Sequence, residues 1–296
     1  MKHLLLALAF TGISLAVWAD GLIMDETLPK AKAGDVQAQA TLGDCYYFGV
    51  GTGKDLEEAV RWYKIAAENG DACVQYKLGN AYFYGEGVKK DLGEAMKWYR
   101  MAAEQGFEEA QFNLGEIFLH GMGVTRDFAE AVKWYQMAAE QGNTWAQNIV
   151  GDSFYYGRGV EQDSTQAEYW YSFSARKGVP WAQYRLATRY MKGTGVATDP
   201  AKAIYWFGQA ALQGHIGALD QLASIKMKGE LAPRDPREAY VLYLLASLLE
   251  SEENPQRTQY TQELEREMTA DQIGSAQTEA ETRLEAIFRL REEKKQ

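Results

Sequence analysis

The chain has 296 residues, 46% of them hydrophobic, 24% charged and 12% aromatic, a balance that sustains a continuous core and excludes a largely disordered chain. Its formal net charge is -10 and Lys and Arg are not clustered, so a phosphate-binding surface, and with it nucleic acid as a partner, is excluded. With 3 His and 2 Cys and no ligand spacing among them, neither a metal nor a cofactor is expected.

The first residues have the parts of a secretory signal: Lys2, an apolar run from Leu4 to Val17, and small residues at Val17 and Ala19 before Asp20. Cleavage is expected after Ala19, which makes residues 1–19 a signal peptide and the mature chain periplasmic or secreted. The run is too short to span a bilayer comfortably, and no later segment approaches the roughly 20 apolar residues that a membrane helix needs. No Cys stands at the cleavage site for lipid attachment. Residues 20–33, in which Leu28 to Ala33 look like the end of a helix without its partner, read as an N-terminal cap.

From Gly34 a register of 36 residues governs the chain, linking Gly34, Gly70, Gly106, Gly142, Gly178 and Gly214, and likewise Trp62, Trp98, Trp134, Trp170 and Trp206. In the copy spanning 71–106, the apolar residues Val74, Leu78 and Tyr82 at four-residue spacing predict a first helix, A, over Ala72 to Tyr84. Gly85 and Gly87 break it, Asp91 caps a second helix, B, and Gly106 ends that helix. Gly79 lets helix B approach closely, and Trp98 and Tyr99 are expected between the layers.

The sixth copy is atypical, with Leu242 for the Trp, Lys226 for the helix A aromatic and Leu231 for the second loop glycine. Beyond Pro255 the chain becomes charged and helical, and Thr269-Ala270-Asp271-Gln272 reads as a capping box for a last helix over Ala270 to Glu293. The expected fold is an all-α, αα-solenoid superhelix of about six helix-turn-helix repeats over 34–250, with capping helices over 251–296 that close its apolar end. Capped solenoids of this kind are expected to be monomeric. In this register Cys45 and Cys73 are eight residues out of step. That offset is about 12 Å along the axis, beyond the roughly 4.4–6.8 Å Cα separation of a disulfide, which tells against a bridge.

The segment Glu109-Ala110-Gln111-Phe112-Asn113-Leu114-Gly115, then Gly121-Met122-Gly123-Val124, Asp127, Glu130-Ala131, Lys133-Trp134-Tyr135 and Ala138-Ala139-Glu140-Gln141-Gly142, resembles the Sel-one-like repeat, a relative of the tetratricopeptide repeat. The resemblance recurs over residues 34–250 and implies an adaptor with protein partners. Exported bacterial members of that family are implicated in host interaction, envelope assembly and signalling.

Catalytic motifs do not compete with this reading. The repeated Gly-x-Gly turns, such as Gly85 and Gly87, lack the preceding strand of a phosphate loop. Some cysteine-rich relatives are associated with β-lactamase or penicillin-binding activity, and Ser174-Ala175-Arg176-Lys177 has the Ser-x-x-Lys form of those enzymes. Ser174 nonetheless holds the small helix B position of Ala66, Ala102 and Ala138, and no further motif accompanies it, so the chain is not expected to be an enzyme.

By analogy with the tetratricopeptide repeat, helix A lines a concave groove at positions that do not hold the fold. Down the copies these positions give a polar column of Asp44, Asn80, Glu116 and Asp152 beside Tyr47, Phe83, Leu119, Tyr155 and Met191. A third column is Phe48, Tyr84, His120 and Tyr156, and Trp145 and Trp181 add two large rings. Such a surface suits an extended peptide, and its acidic column suits a basic or amine-bearing one. Ring stacking also suits a glycan or peptidoglycan fragment. Against this, Tyr47, Phe83 and Tyr155 are the rings expected to pack between adjacent A helices if the columns serve the fold instead.

Overall fold

The computed structural model describes residues 17–293, with side chains from residue 24. The apolar run of the expected signal therefore lies mostly outside the described residues, as does the side chain at the expected cleavage point. Fifteen helices follow one another among the described residues, without a strand. They form two compact units divided after Gln141. The first holds α1 (Val17–Lys32), α2 (Val36–Phe48), α3 (Leu56–Glu68), α4 (Ala72–Tyr84), α5 (Leu92–Glu104), α6 (Glu108–His120) and α7 (Phe128–Glu140). The second holds α8 (Thr144–Tyr156), α9 (Ser164–Arg176), α10 (Pro180–Lys192), α11 (Pro200–Ala211), α12 (Ile216–Lys228), α13 (Pro236–Leu249), α14 (Pro255–Glu265) and α15 (Ala270–Glu293).

Each repeat is an antiparallel pair, A then B, and the same local chemistry builds every pair. Helix B opens on an aspartate at Asp55, Asp91, Asp127, Asp163, Asp199 and Asp235, whose carboxylate accepts from backbone N–H groups of its first turn. Each such cap stabilises by about 1 kcal/mol. Helix A ends on a glycine in the left-handed region, as at Gly85 with φ 79°. The second loop glycine is fixed by space as well: a Cβ on Gly87, at φ 67°, would lie 2.0 Å from the Leu56 carbonyl oxygen at the start of the preceding helix B.

The pair closes where the sequence places its other small residue. A Cβ on Gly79 would lie 2.6 Å from Cδ1 of Tyr99, and the same ring approach recurs at Gly43, Gly115 and Gly151. Tyr63, Tyr99, Tyr135 and Tyr171 are accordingly buried, as are Trp98, Trp134 and Trp170. Successive pairs are latched by a buried glutamine. Gln39 donates to the Ala31 carbonyl, Gln75 to Ala67, Gln111 to Ala103 and Gln183 to Ala175, at 3.0–3.1 Å, so each helix A satisfies a carbonyl at the end of the helix before it.

At the start of the first unit, Met24, Leu28 and Ala31 of α1 pack with Ala38, Leu42 and Trp62. At the end of the second, Leu264 of α14 and Ala276, Ala280 and Ile287 of α15 join the core of α12 and α13. The capping box forms reciprocally: Thr269 N–H donates to Gln272 Oε1 at 2.9 Å, and Gln272 N–H to Thr269 Oγ1 at 3.3 Å. Buried Arg257 ties α14 down by donating to both Asp220 oxygens at 2.9 Å and to Glu250 at 2.7 Å. The thiol of Cys45 is buried and that of Cys73 is exposed.

Candidate functional site

The faces of the A helices carry the candidate residues in two separate sets, one per unit. In the first unit, Phe48 and Tyr84 end α2 and α4 with 62% and 66% of their surface exposed. Each meets its half-buried neighbour edge to face, Tyr47 against Phe48 at 4.9 Å and Phe83 against Tyr84 at 5.0 Å. Tyr47 donates to Glu86 of the next repeat at 2.8 Å, and Phe83 approaches the core ring of Tyr99 at 6.4 Å. Rings at these positions thus serve packing, and the ring one residue later faces solvent. Exposed His120 holds that later position on α6 with Nε2 3.4 Å from Glu116, and half-buried Leu119 precedes it.

In the second unit Tyr155 and Tyr156 repeat the edge-to-face pair at 4.7 Å. Trp145, on the first turn of α8, is 71% exposed. Trp181 is half-buried, 5.8 Å from Tyr171, with the Arg185 guanidinium 4.6 Å from its ring centre. Met191 is half-buried.

The polar column requires a correction. Its members were expected not to hold the fold, yet each accepts from a buried tyrosine hydroxyl of helix B 19 residues later: Tyr63 to Asp44 at 2.7 Å, Tyr99 to Asn80 at 2.7 Å, Tyr135 to Glu116, and Tyr171 to Asp152 at 2.6 Å. These tyrosines are buried, and the column supplies their hydroxyls with partners. Burial first, then the adjacent carboxylate, drives the Tyr63 and Tyr171 hydroxyls far above the ordinary phenol range. Burial also raises Asp152, against the lowering by the Tyr171 hydrogen bond and by Arg185. Nor is the column an open acidic field: Lys77 donates to both Asp44 oxygens at 2.7 and 2.8 Å, and Arg185 lies 3.7 Å from Asp152.

The buried Gln39, Gln75, Gln111, Gln147 and Gln183 were not read from the sequence, although they recur at 36 residues and that recurrence was the available signal. The pairing of each tyrosine with the residue 19 before it has no such signature.

The arrangement presents ring edges and faces at the surface of the A helices. Ser174 is 0% exposed, its Oγ 3.5 Å from the Thr144 carbonyl, while Lys177 donates to the Gly142 carbonyl at 2.7 Å. The pair thus presents no nucleophile to solvent. His215 caps α12 by accepting from Ala218 N–H at 3.2 Å and stacks on Tyr184. Among the described residues no group of His, Cys, Asp or Glu could hold a metal ion, and no helix is long and apolar enough to cross a membrane.

A family model described as "Sel1 repeat" matches residues 36–71, 74–107, 108–143, 146–179, 182–215 and 217–251. Among solved structures, a Sel1 repeat protein from Oxalobacter formigenes is 35% identical with a TM-score of 0.63, over 74% of this chain and 89% of that one. A protective antigen present in uropathogenic Escherichia coli strains, described as displaying an SLR fold, is 25% identical with a TM-score of 0.41, over 91% of this chain and 89% of that one. No curated protein matches.

Proposed function

Because this chain belongs to the Sel1 repeat family, whose repeats typically serve as scaffolds for protein partners, we propose that it is an exported scaffold that holds a partner's extended segment along its A-helix faces. The observation that carries this reading is the exposed aromatic ring ending three of the A helices. Phe48, Tyr84 and Tyr156 stand 62%, 66% and 45% exposed beside rings that already fill the packing role. Aromatic side chains in water are costly to maintain and disproportionately effective at interfaces. A preference for a basic segment rests on the third repeat, where Glu116 faces His120 and, among the described residues, no Lys or Arg of the kind that pairs with Asp44 and Asp152. Export rests on the N-terminal signal pattern, and a mature N-terminus at Asp20 in the periplasm or medium is its direct check.

The test is partner capture from an envelope extract by the immobilised chain. Phe48→Ala, Tyr84→Ala and Tyr156→Ala together should abolish capture without changing the melting temperature. Tyr169→Ala with Tyr205→Ala removes rings 52% and 56% exposed on helices B and should leave capture intact. The reverse pattern would move the binding face to the B helices. A second reading, glycan binding, is favoured by Trp145, 71% exposed and able to stack on a sugar. Competition by soluble muropeptides with no protein captured would select it.

A further inference from the structure

One position breaks the repeat register from inside the protein. At steps of 36 residues the A helices place Cys45, Ala81, Ile117, Ser153 and Ile225 where α10 places Arg189. The column is buried in every copy, and Arg189 is 2% exposed. Its Nη2 donates to the Ser164 carbonyl at the start of α9. Gly195 makes room for it, since a Cβ there would lie 2.8 Å from that nitrogen. Among the described residues Nε and Nη1 of Arg189 have no acceptor, and neither does Nε of Arg185, four residues earlier on the same helix. Both arginines border a cavity of about 20 Å³, lined also by Tyr155, Tyr171, Thr188 and Thr194.

A buried guanidinium destabilises unless its donors are met, and every other copy fills this column with a small or apolar side chain. The nearby carboxylates are engaged elsewhere. Asp152 accepts from Tyr171 and faces Arg185, and Glu168 accepts from Tyr190 at 2.7 Å. What the unmet donors require is a further oxygen acceptor, preferably anionic, because charge-assisted hydrogen bonds are the stronger ones. A water occupies about 10–15 Å³ by the same measure, so the cavity admits the oxygen end of a small planar group and not a sugar ring.

We propose that this cavity is a subsite for a carboxylate carried by the bound segment, its oxygens shared between the Arg189 and Arg185 guanidiniums. Thr194 and Thr188, whose hydroxyl donates to the Tyr184 carbonyl at 2.9 Å, line the same space. The subsite rests on the scaffold reading only for the source of the carboxylate, which is either a peptide C-terminus or an acidic side chain. It gives the second unit a recognition chemistry opposite in sign to the acidic column.

The test titrates the full chain with acetate, with inorganic phosphate, with blocked trialanine bearing a free C-terminus, with blocked Ala-Glu-Ala amide and with blocked trialanine amide. The Arg189 side-chain N–H signal is followed by NMR. Saturable shifts with acetate and at least one carboxylate peptide, and none with the neutral amide, are expected, and the tighter peptide identifies the source. Arg189→Met, followed instead through the backbone amide signals of Thr188 and Thr194, should weaken binding by about tenfold or more, the loss expected for hydrogen bonds to a charged group. Should that variant not fold, Arg185→Gln and Thr188→Val give the same readout. No saturable response to either carboxylate peptide, an unchanged response in the folded variants, or tighter binding of inorganic phosphate would overturn the proposal. The triple aromatic variant should keep the carboxylate response while losing partner capture, so the two readings fail separately.

Discussion

Gly115→Ala tests the close approach on which each repeat is built. The added Cβ would lie 2.5, 2.6 and 2.8 Å from Cε1, Cδ1 and Cζ of Tyr135. That ring cannot swing aside, because it is 0% exposed and its hydroxyl donates to Glu116. Overpacking a close-packed site costs about 1–3 kcal/mol, and three such contacts against a tethered ring place the cost near ~3 kcal/mol. Replacing a mid-helix glycine by alanine returns about 0.5–1 kcal/mol, so the net loss is about 2 kcal/mol. Gly274→Ala in α15 is the control, since nothing lies within 4 Å of its added Cβ and only the propensity gain remains. At about 2–4 °C per kcal/mol for chains near this size, calorimetry should show Gly115→Ala melting about 4–8 °C lower and Gly274→Ala slightly higher. Both variants melting at or above the parent temperature would refute the packing argument.

Three further outcomes follow from the same contacts. Tyr135→Phe leaves the ring and removes only the hydroxyl bond to Glu116, so urea denaturation should register a loss of about 1–2 kcal/mol despite the groove-side position of its partner. Burial holds His215 below its ordinary pKa of 6.5, so its contribution is fully present above that pH and is lost as pH falls through the lower folded value. His215→Asn, which keeps a cap acceptor, should flatten that part of the stability profile, and an unchanged slope would discount the histidine. Truncation after Glu250 removes Leu264, Ile287 and the Arg257 contacts to Asp220, exposing the core of α12 and α13. Light scattering should then report self-association and calorimetry a lower melting temperature, whereas a monomer of parental stability would refute the packing role of α14 and α15.

The sequence announced the fold because a solenoid repeats its physics. Asp91, Gly79, Gly85, Gly87 and Tyr99 each recur at the same step, so one copy interpreted correctly interprets the others, and the Ala72–Tyr84 helix matches its expected bounds. The Thr269 and Gln272 capping box was legible for a related reason, as both its hydrogen bonds are local in sequence. The candidate site was legible only in part. Alternation of packed and exposed rings at Tyr47 and Phe48 depends on helix rotation, which periodicity conveys. The anchoring of Asp44, Asn80, Glu116 and Asp152 to tyrosines crosses from helix A to helix B, and no pattern along the chain marks it. Arg189 escaped for the opposite reason: as a single departure from its column, it looks like ordinary variation until its burial is known.

The central claim is that the partner lies on the A-helix faces, and site-specific photo-cross-linking tests it most directly. A benzophenone side chain in place of Tyr84, 66% exposed on α4, should cross-link the captured partner in the producing cell. The same group in place of Tyr205, 56% exposed on α11, should not. Cross-links from position 205 with none from position 84, in variants of equal abundance and melting temperature, would contradict the account.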